Sequence, residues 1–161
     1  MTIFKTMVSF SLLALLVACG GPGDSASVPE AQPADATSAH IGTYIVHFNA
    51  QSTDQLPTDV ARAYDIVRSK NRAMLNVSII RKSDKAPVAG VVTVKATNLT
   101  GQLKNVTMRK IEEPGETSAI YYVGETAIAN LETLVFDIAV KPEDRDNLSE
   151  VRFTRQFYVD P

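Results

Sequence analysis

The 161-residue chain holds one thiol, two imidazoles and no tryptophan, so its reactive side chains are few. Cys19 sits between Ala18 and Gly20 at the end of an apolar run. Small neighbours on either side of a thiol suit cleavage of a leader just before it and transfer of acyl chains onto the sulfur. With no second cysteine there is no disulfide, and acylation removes a thiol that an oxidising compartment would attack. His40 and His47 are too few for zinc, which takes four side chains in structural sites and about three in catalytic ones, so neither a metal nor any other cofactor is expected. His47, on the more polar face of its strand, reads as a surface or cross-strand packing residue. No Gly-x-Ser-x-Gly turn, phosphate loop ending in Lys-Ser or Lys-Thr, or His-Glu-x-x-His occurs. What remains for hydrolysis is a carboxylate pair built on Asp137, in mid-strand, with Glu125, Glu132 or Asp144 nearby in sequence. Such acids are more often solvated or ion-paired than catalytic.

The densest cluster of charge is Arg62, Arg68, Lys70 and Arg72, four cations in eleven residues. Arg68, Lys70 and Arg72 could act as charge-assisted donors to an anionic partner: a phospholipid head group, a lipopolysaccharide phosphate or a cell-wall carboxylate. The plainer expectation is a solvated rim paired with some of the domain's acids.

The segment ahead of Cys19 places Lys5 before an apolar stretch from Met7 to Ala18, the pattern of a signal peptide over residues 1–18. Ser9 and Ser11 interrupt that stretch and Gly20, Gly21, Pro22 and Gly23 end it, which leaves it short of the roughly 20 apolar residues a spanning helix needs. Leu16, Val17, Ala18, Cys19 and Gly20 resemble the lipobox of bacterial lipoproteins. Acylation at Cys19 would anchor the chain to a membrane, because several acyl chains at about 0.8 kcal/mol per buried methylene hold where one does not. Gly20 rather than Asp after the cysteine, by the same resemblance, favours the outer membrane over the inner one, with the domain facing the periplasm.

Residues 19–40 are mostly Gly, Pro, Ala, Ser and Thr, a composition that cannot offset its own ordering entropy. They read as a tether, with a reach on the order of 25 Å as a coil and about twice that extended. Residues 41–161 then form one domain large enough for its own core. The whole chain carries 16 basic and 18 acidic residues; without the leader and tether the balance is 15 against 15, which gives no support for a nucleic-acid partner.

The domain alternates in period two, as half-buried strands do. Tyr44, Val46 and Phe48 share one face of a first strand and Leu75, Val77 and Ile79 one face of a second. Val92, Val94 and Ala96 mark a third. The stretch from Leu103 to Ile111 is mixed in phase, as an edge strand or a bulge would be. A fifth strand covers residues 119–123, a sixth 134–140, and a seventh 151–159, where Arg155 interrupts the apolar face. Between the first and second strands, Pro57, Thr58 and Asp59 ahead of Val60, Ala63, Tyr64 and Val67 predict a short helix capped by Thr58. The fold expected is all-β: an immunoglobulin-like antiparallel β-sandwich of about seven strands with one short helix between strands 1 and 2. A lipocalin-type barrel carrying a small apolar ligand or lipid is the alternative.

The string VARAYDIVRSKNRAMLNVSI at residues 60–79 resembles a gammaproteobacterial exported family known as domain of unknown function 4426. ATNLTGQ at 96–102, AIYYVGE at 119–125, ETLVFDI at 132–138 and QFYVD at 156–160 extend that resemblance over nearly the whole domain. It implies an envelope location and an immunoglobulin-like sandwich, and brings no activity, cofactor or catalytic residue. The lipobox and tether depart from the family's soluble exported members. Taken together, the residues lead to an expectation of a lipid-anchored, non-enzymatic binding or accessory module whose partner is an envelope protein or acidic envelope component.

Overall fold

The computed structural model describes residues 36–113, 115 and 118–159. The segment expected to be a leader, Cys19 and the expected tether up to residue 35 lie outside them. Among the described residues, nine strands form two antiparallel sheets: β1 (Ser38–Ile41), β2 (Tyr44–Ser52), β3 (Arg72–Arg81), β4 (Gly90–Asn98), β5 (Leu103–Lys104), β6 (Arg109–Glu113), β7 (Ala119–Ala127), β8 (Thr133–Pro142) and β9 (Ser149–Gln156). One sheet runs β1-β2-β3-β7-β6, the other β5-β4-β8-β9. The fold is an all-β sandwich. It has a lower end, where β2, β4, β7 and β9 finish and β3 and β8 begin, and an upper end opposite.

Alternation builds the core. In β8 every second residue is buried, so Leu134, Phe136, Ile138 and Val140 point inward, against Val46, Phe48 and Ala50 of β2 and Leu75, Val77 and Ile79 of β3. The Phe153 ring lies 4.9 Å from Phe136 in its own sheet and 4.8 Å from Phe48 in the other, so one aromatic stack crosses the interior. The chain builds two sheets packed over a filled interior rather than a single closed barrel.

Three expectations need correction. Nine strands replace seven, partly because the mixed-phase stretch is two strands in different sheets. Leu103–Lys104 pairs with β4, Arg109–Glu113 pairs with β7, and residues 105–108 cross between. The crossing passes so close to β7 that a Cβ on Gly124 would lie 2.5 Å from Met108 Sδ and 2.8 Å from Val106 Cγ1. Inward and outward change meaning when a chain changes sheets, hence the broken phase. The second new strand, β1, starts at Ser38, inside the stretch expected to be tether. Its four residues are too short to show a period, and pairing with β2 specifies it.

The helix is the third. It covers only Thr58–Ala63, with Pro57 as N-cap and no side-chain capping bond. Pro57 has an extended backbone and its carbonyl accepts from Ala61 N–H at 2.9 Å, so Thr58 is already the first helical residue. Asp65, at a φ of 51°, turns the chain out of the helix. The helical period therefore never reaches Val67, which is 68 % exposed rather than part of an apolar stripe.

Candidate functional site

The basic stretch lies in the connection between β2 and β3, at the lower end of the sandwich. This connection packs on the outer face of the five-stranded sheet through a small second core of Leu56, Ala61 and Ile66 on Met74 and Val123. It is stapled by Thr53, which is fully buried in a short 3-10 turn, Thr53–Gln55. The Thr53 hydroxyl lies 2.9 Å from the Val67 carbonyl and 3.1 Å from that of Ser69, and accepts from Ser69 N–H at 2.9 Å. Nothing in a Ser-Thr-Asp sequence singles this residue out. Thr53→Val keeps the shape but strands buried polar groups, so it is expected to cost about 1–3 kcal/mol in urea unfolding and to expose residues 66–71 to protease. An unchanged midpoint and cleavage pattern would show that the staple holds nothing.

Arg68 braces the same connection, donating from Nη1 to Thr58 Oγ1 at 3.0 Å and from Nη2 to the Asp54 carbonyl at 2.5 Å. Both acceptors are neutral, so its charge is not cancelled by them. Arg72, on the first residue of β3, pairs with Glu125 of β7 at 3.3 Å. Lys70 lies between them and is exposed. The structure thus gathers Arg68, Lys70 and Arg72 at one end of the domain, but uses Arg68 as a brace and Arg72 in a cross-strand ion pair. At the helix C-terminus the Tyr64 hydroxyl donates to Glu113 of β6, and Arg109 reaches the Tyr64 carbonyl. Burial, and then the bond to Glu113, push the Tyr64 hydroxyl up to about 12, which keeps it a donor at physiological pH.

The carboxylates considered for hydrolysis are all engaged, and they are not brought together. Asp137, on the outer face of the four-stranded sheet, is bonded to Arg152 opposite it on β9. Asp144, at the upper end, accepts from the Tyr44 hydroxyl at 2.5 Å and from Arg81 at 3.4 Å; these bonds, the Tyr44 one first, hold it below the usual carboxylate range. Glu132, in the turn between β7 and β8, accepts from Lys104, Asn98 and the Ala129 N–H. Among the described residues, no cluster of three or more His, Cys, Asp and Glu side chains is placed to hold a metal.

His47 is exposed beside a feature that periodicity could not reveal. Beyond the pair Val77 and Tyr122, β3 and β7 part, because the returning chain takes the place beside β3: Val88 N–H donates to the Ile79 carbonyl at 2.8 Å and Arg81 N–H to the Ala86 carbonyl at 2.9 Å. A groove of about 660 Å³ opens there between residues 84–87 and 118–121, lined by Ser78, Ile80, Tyr121 and His47.

A family model described as Domain of unknown function (DUF4426) matches residues 38–160, from the first residue of β1 past the end of β9. The chain belongs to this family. A DUF4426 family protein from Pseudomonas aeruginosa PAO1, known from its crystal structure, is 31 % identical; the alignment covers 77 % of this chain and 95 % of that one, with a TM-score of 0.66. A family 123 glycoside hydrolase from Clostridium perfringens, 12 % identical, aligns over 72 % of this chain and 28 % of its own with a TM-score of 0.31, too weak a likeness to bear on fold or activity. No curated protein matches. Membership in DUF4426 accounts for the sandwich and the strings that run through it, and assigns no role to any residue.

Proposed function

We propose that this DUF4426 protein is a lipid-anchored module of the bacterial envelope that binds rather than catalyses. In this reading Cys19 carries the anchor, the outer membrane is the host, and the domain faces the periplasm. The observation that carries the proposal is the run Leu16-Val17-Ala18-Cys19-Gly20, with the chain's single thiol at the cleavage point and a Gly- and Pro-rich tether behind it. The geometry is in keeping with a binding role. The candidate acids serve as braces, and the cations Arg68, Lys70 and Arg72 are exposed together at one end, where an acidic envelope component could meet them.

We also read the sandwich as immunoglobulin-like. Setting aside the accessory strands β1 and β5, the order β2-β3-β7-β6 over β4-β8-β9 matches the A-B-E-D over C-F-G arrangement of constant-type domains.

The anchor is tested by mass spectrometry of the N-terminal peptide and by fractionation. The mature chain should begin at an acylated Cys19 and sediment with outer membranes, while Cys19→Ser should keep its leader. A bare Cys19 in a soluble periplasmic product would end the lipoprotein reading.

A further inference from the structure

We infer that the lower end of the sandwich is a lipid-contacting surface, which seats on the bilayer that holds the anchor. Of the large apolar side chains left exposed among the described residues, Val67, Leu99, Leu103, Leu131 and Tyr158 lie at this end; Val91 and Leu148 lie toward the other. The five come from four separate segments. Val67 belongs to the β2–β3 connection, Leu99 and Leu103 to the β4–β5 hairpin, Leu131 to the β7–β8 turn, and Tyr158 to the tail after β9. Isolated exposed apolar residues mean little, but this degree of segregation to one end does not follow from core packing.

These segments form one rim. Ile128 N–H donates to the Asn71 carbonyl at 3.0 Å, joining the β7–β8 turn to the β2–β3 connection. Asn98 and Lys104 both reach Glu132, joining it to the β4–β5 turn. Phe157 N–H donates to the Glu132 carbonyl and Val159 N–H to Asn130 Oδ1, which ties in the tail. Leu131 stands at the middle of this network with a φ of 59°, a left-handed conformation that glycine or asparagine takes without penalty and leucine does not. A leucine that is both strained and 61 % exposed contributes to something other than the stability of its turn.

The occupant is identified by where the chain arrives. β1 runs from the level of His47 up to that of Tyr44, and Thr37 accepts from Phe48 N–H at 2.9 Å, so Ala36 and Thr37 lead into the sheet from its lower side. An anchor at Cys19, the reading on which this inference rests, would therefore be attached to the end that carries the apolar tips. A coil of the 18 residues from Cys19 to Ala36 would reach roughly 23 Å, which is less than the height of about 30 Å of a nine-residue strand. The tether is short enough for the lower end to meet the membrane. Attraction of the cations to acidic lipid is not the driving contribution, because Asp54, Asp59 and Asp65 balance Arg62, Arg68 and Lys70 in the same connection. Shallow burial of leucine and tyrosine at the boundary of head groups and acyl chains is.

The chain has no tryptophan, so a single one introduced is a specific probe. Residues 19–161 are coupled through Cys19, the only thiol, to maleimide-headgroup lipid in vesicles of phosphatidylethanolamine and phosphatidylglycerol that contain brominated acyl chains. Leu99→Trp and Leu131→Trp should be quenched at least about twofold more than Leu148→Trp at the upper end, with little change when phosphatidylcholine replaces phosphatidylglycerol. Equal denaturant midpoints for the three variants establish that each is folded. Quenching that does not distinguish the two ends overturns the surface, and strong quenching of Leu148→Trp alone reverses the orientation. Because the coupling is chemical, this result is independent of whether Cys19 is acylated in the cell. An acylated native chain with uniform quenching leaves the anchor and removes the contact, and a bare native Cys19 with selective quenching does the opposite.

Discussion

Phe136→Ala should destabilise the domain by about 3–5 kcal/mol, a large part of the roughly 5–15 kcal/mol that a domain of this size commands. Phe136 is 1 % exposed and is the largest of the fully buried side chains. Its ring is stacked on Phe153, which in turn meets Phe48 of the opposite sheet. Removing it takes away the transfer free energy of one ring and leaves a void that two hydrogen-bonded sheets cannot close by collapse. The loss should appear as a lower urea midpoint with an unchanged slope, the signature of altered stability rather than altered compactness. A cost below about 1 kcal/mol would mean that the site was already loose. An interior that loose would restore the ligand-carrying alternative that the packed sheets now disfavour.

The same residue shows why much of the fold could be read from sequence. Leu134, Phe136, Ile138 and Val140 alternate with Val135, Asp137 and Ala139 without a break, and a strand buried on one face must look like that. β2, β3 and β4 are legible for the same reason. What escaped is specified by something other than period. β1 is defined by its partner. β5 and β6 share one mixed-phase stretch but belong to different sheets, and no local pattern records a change of layer. The helix ends at Ala63 because Asp65 adopts a left-handed backbone, although Val67 continues the helical spacing. For the candidate site, the basic stretch was visible, yet its use was not. That Arg68 braces Asp54 and Thr58, and that a buried threonine holds the connection, depend on contacts between residues up to sixteen apart in a segment with no period. The gathering of exposed apolar side chains at one end requires the topology, since Val67 and Tyr158 are far apart in sequence and share only the lower end of the sandwich.

Glu132→Ala should be nearly as damaging, at about 2–4 kcal/mol, although the residue sits in a turn. Its carboxylate and the Lys104 ammonium, 2.8 Å apart, are 11 % and 15 % exposed, so the alanine variant leaves a largely buried cation without its counter-ion. It also removes the acceptor for Asn98 and for the Ala129 N–H. Burial acts to raise the Glu132 carboxyl, but the Lys104, Asn98 and Ala129 donors outweigh it and hold it below its ordinary value of 4.5. A depressed carboxylate stabilises the fold fully above that ordinary value, and the contribution is lost as pH falls through the lower, folded one. The gap between native and Glu132→Ala proteins should therefore be constant near neutrality and narrow only below pH 4.5. Pairing Glu132→Leu with Lys104→Met should recover most of the loss, because two apolar groups leave no charge unmatched. If the double variant is as unstable as Glu132→Ala, the cost lies in the Asn98 and Ala129 bonds and not in the stranded ammonium. In that case the rim that carries Leu99 and Leu131 is held in place by the turn's own hydrogen bonds.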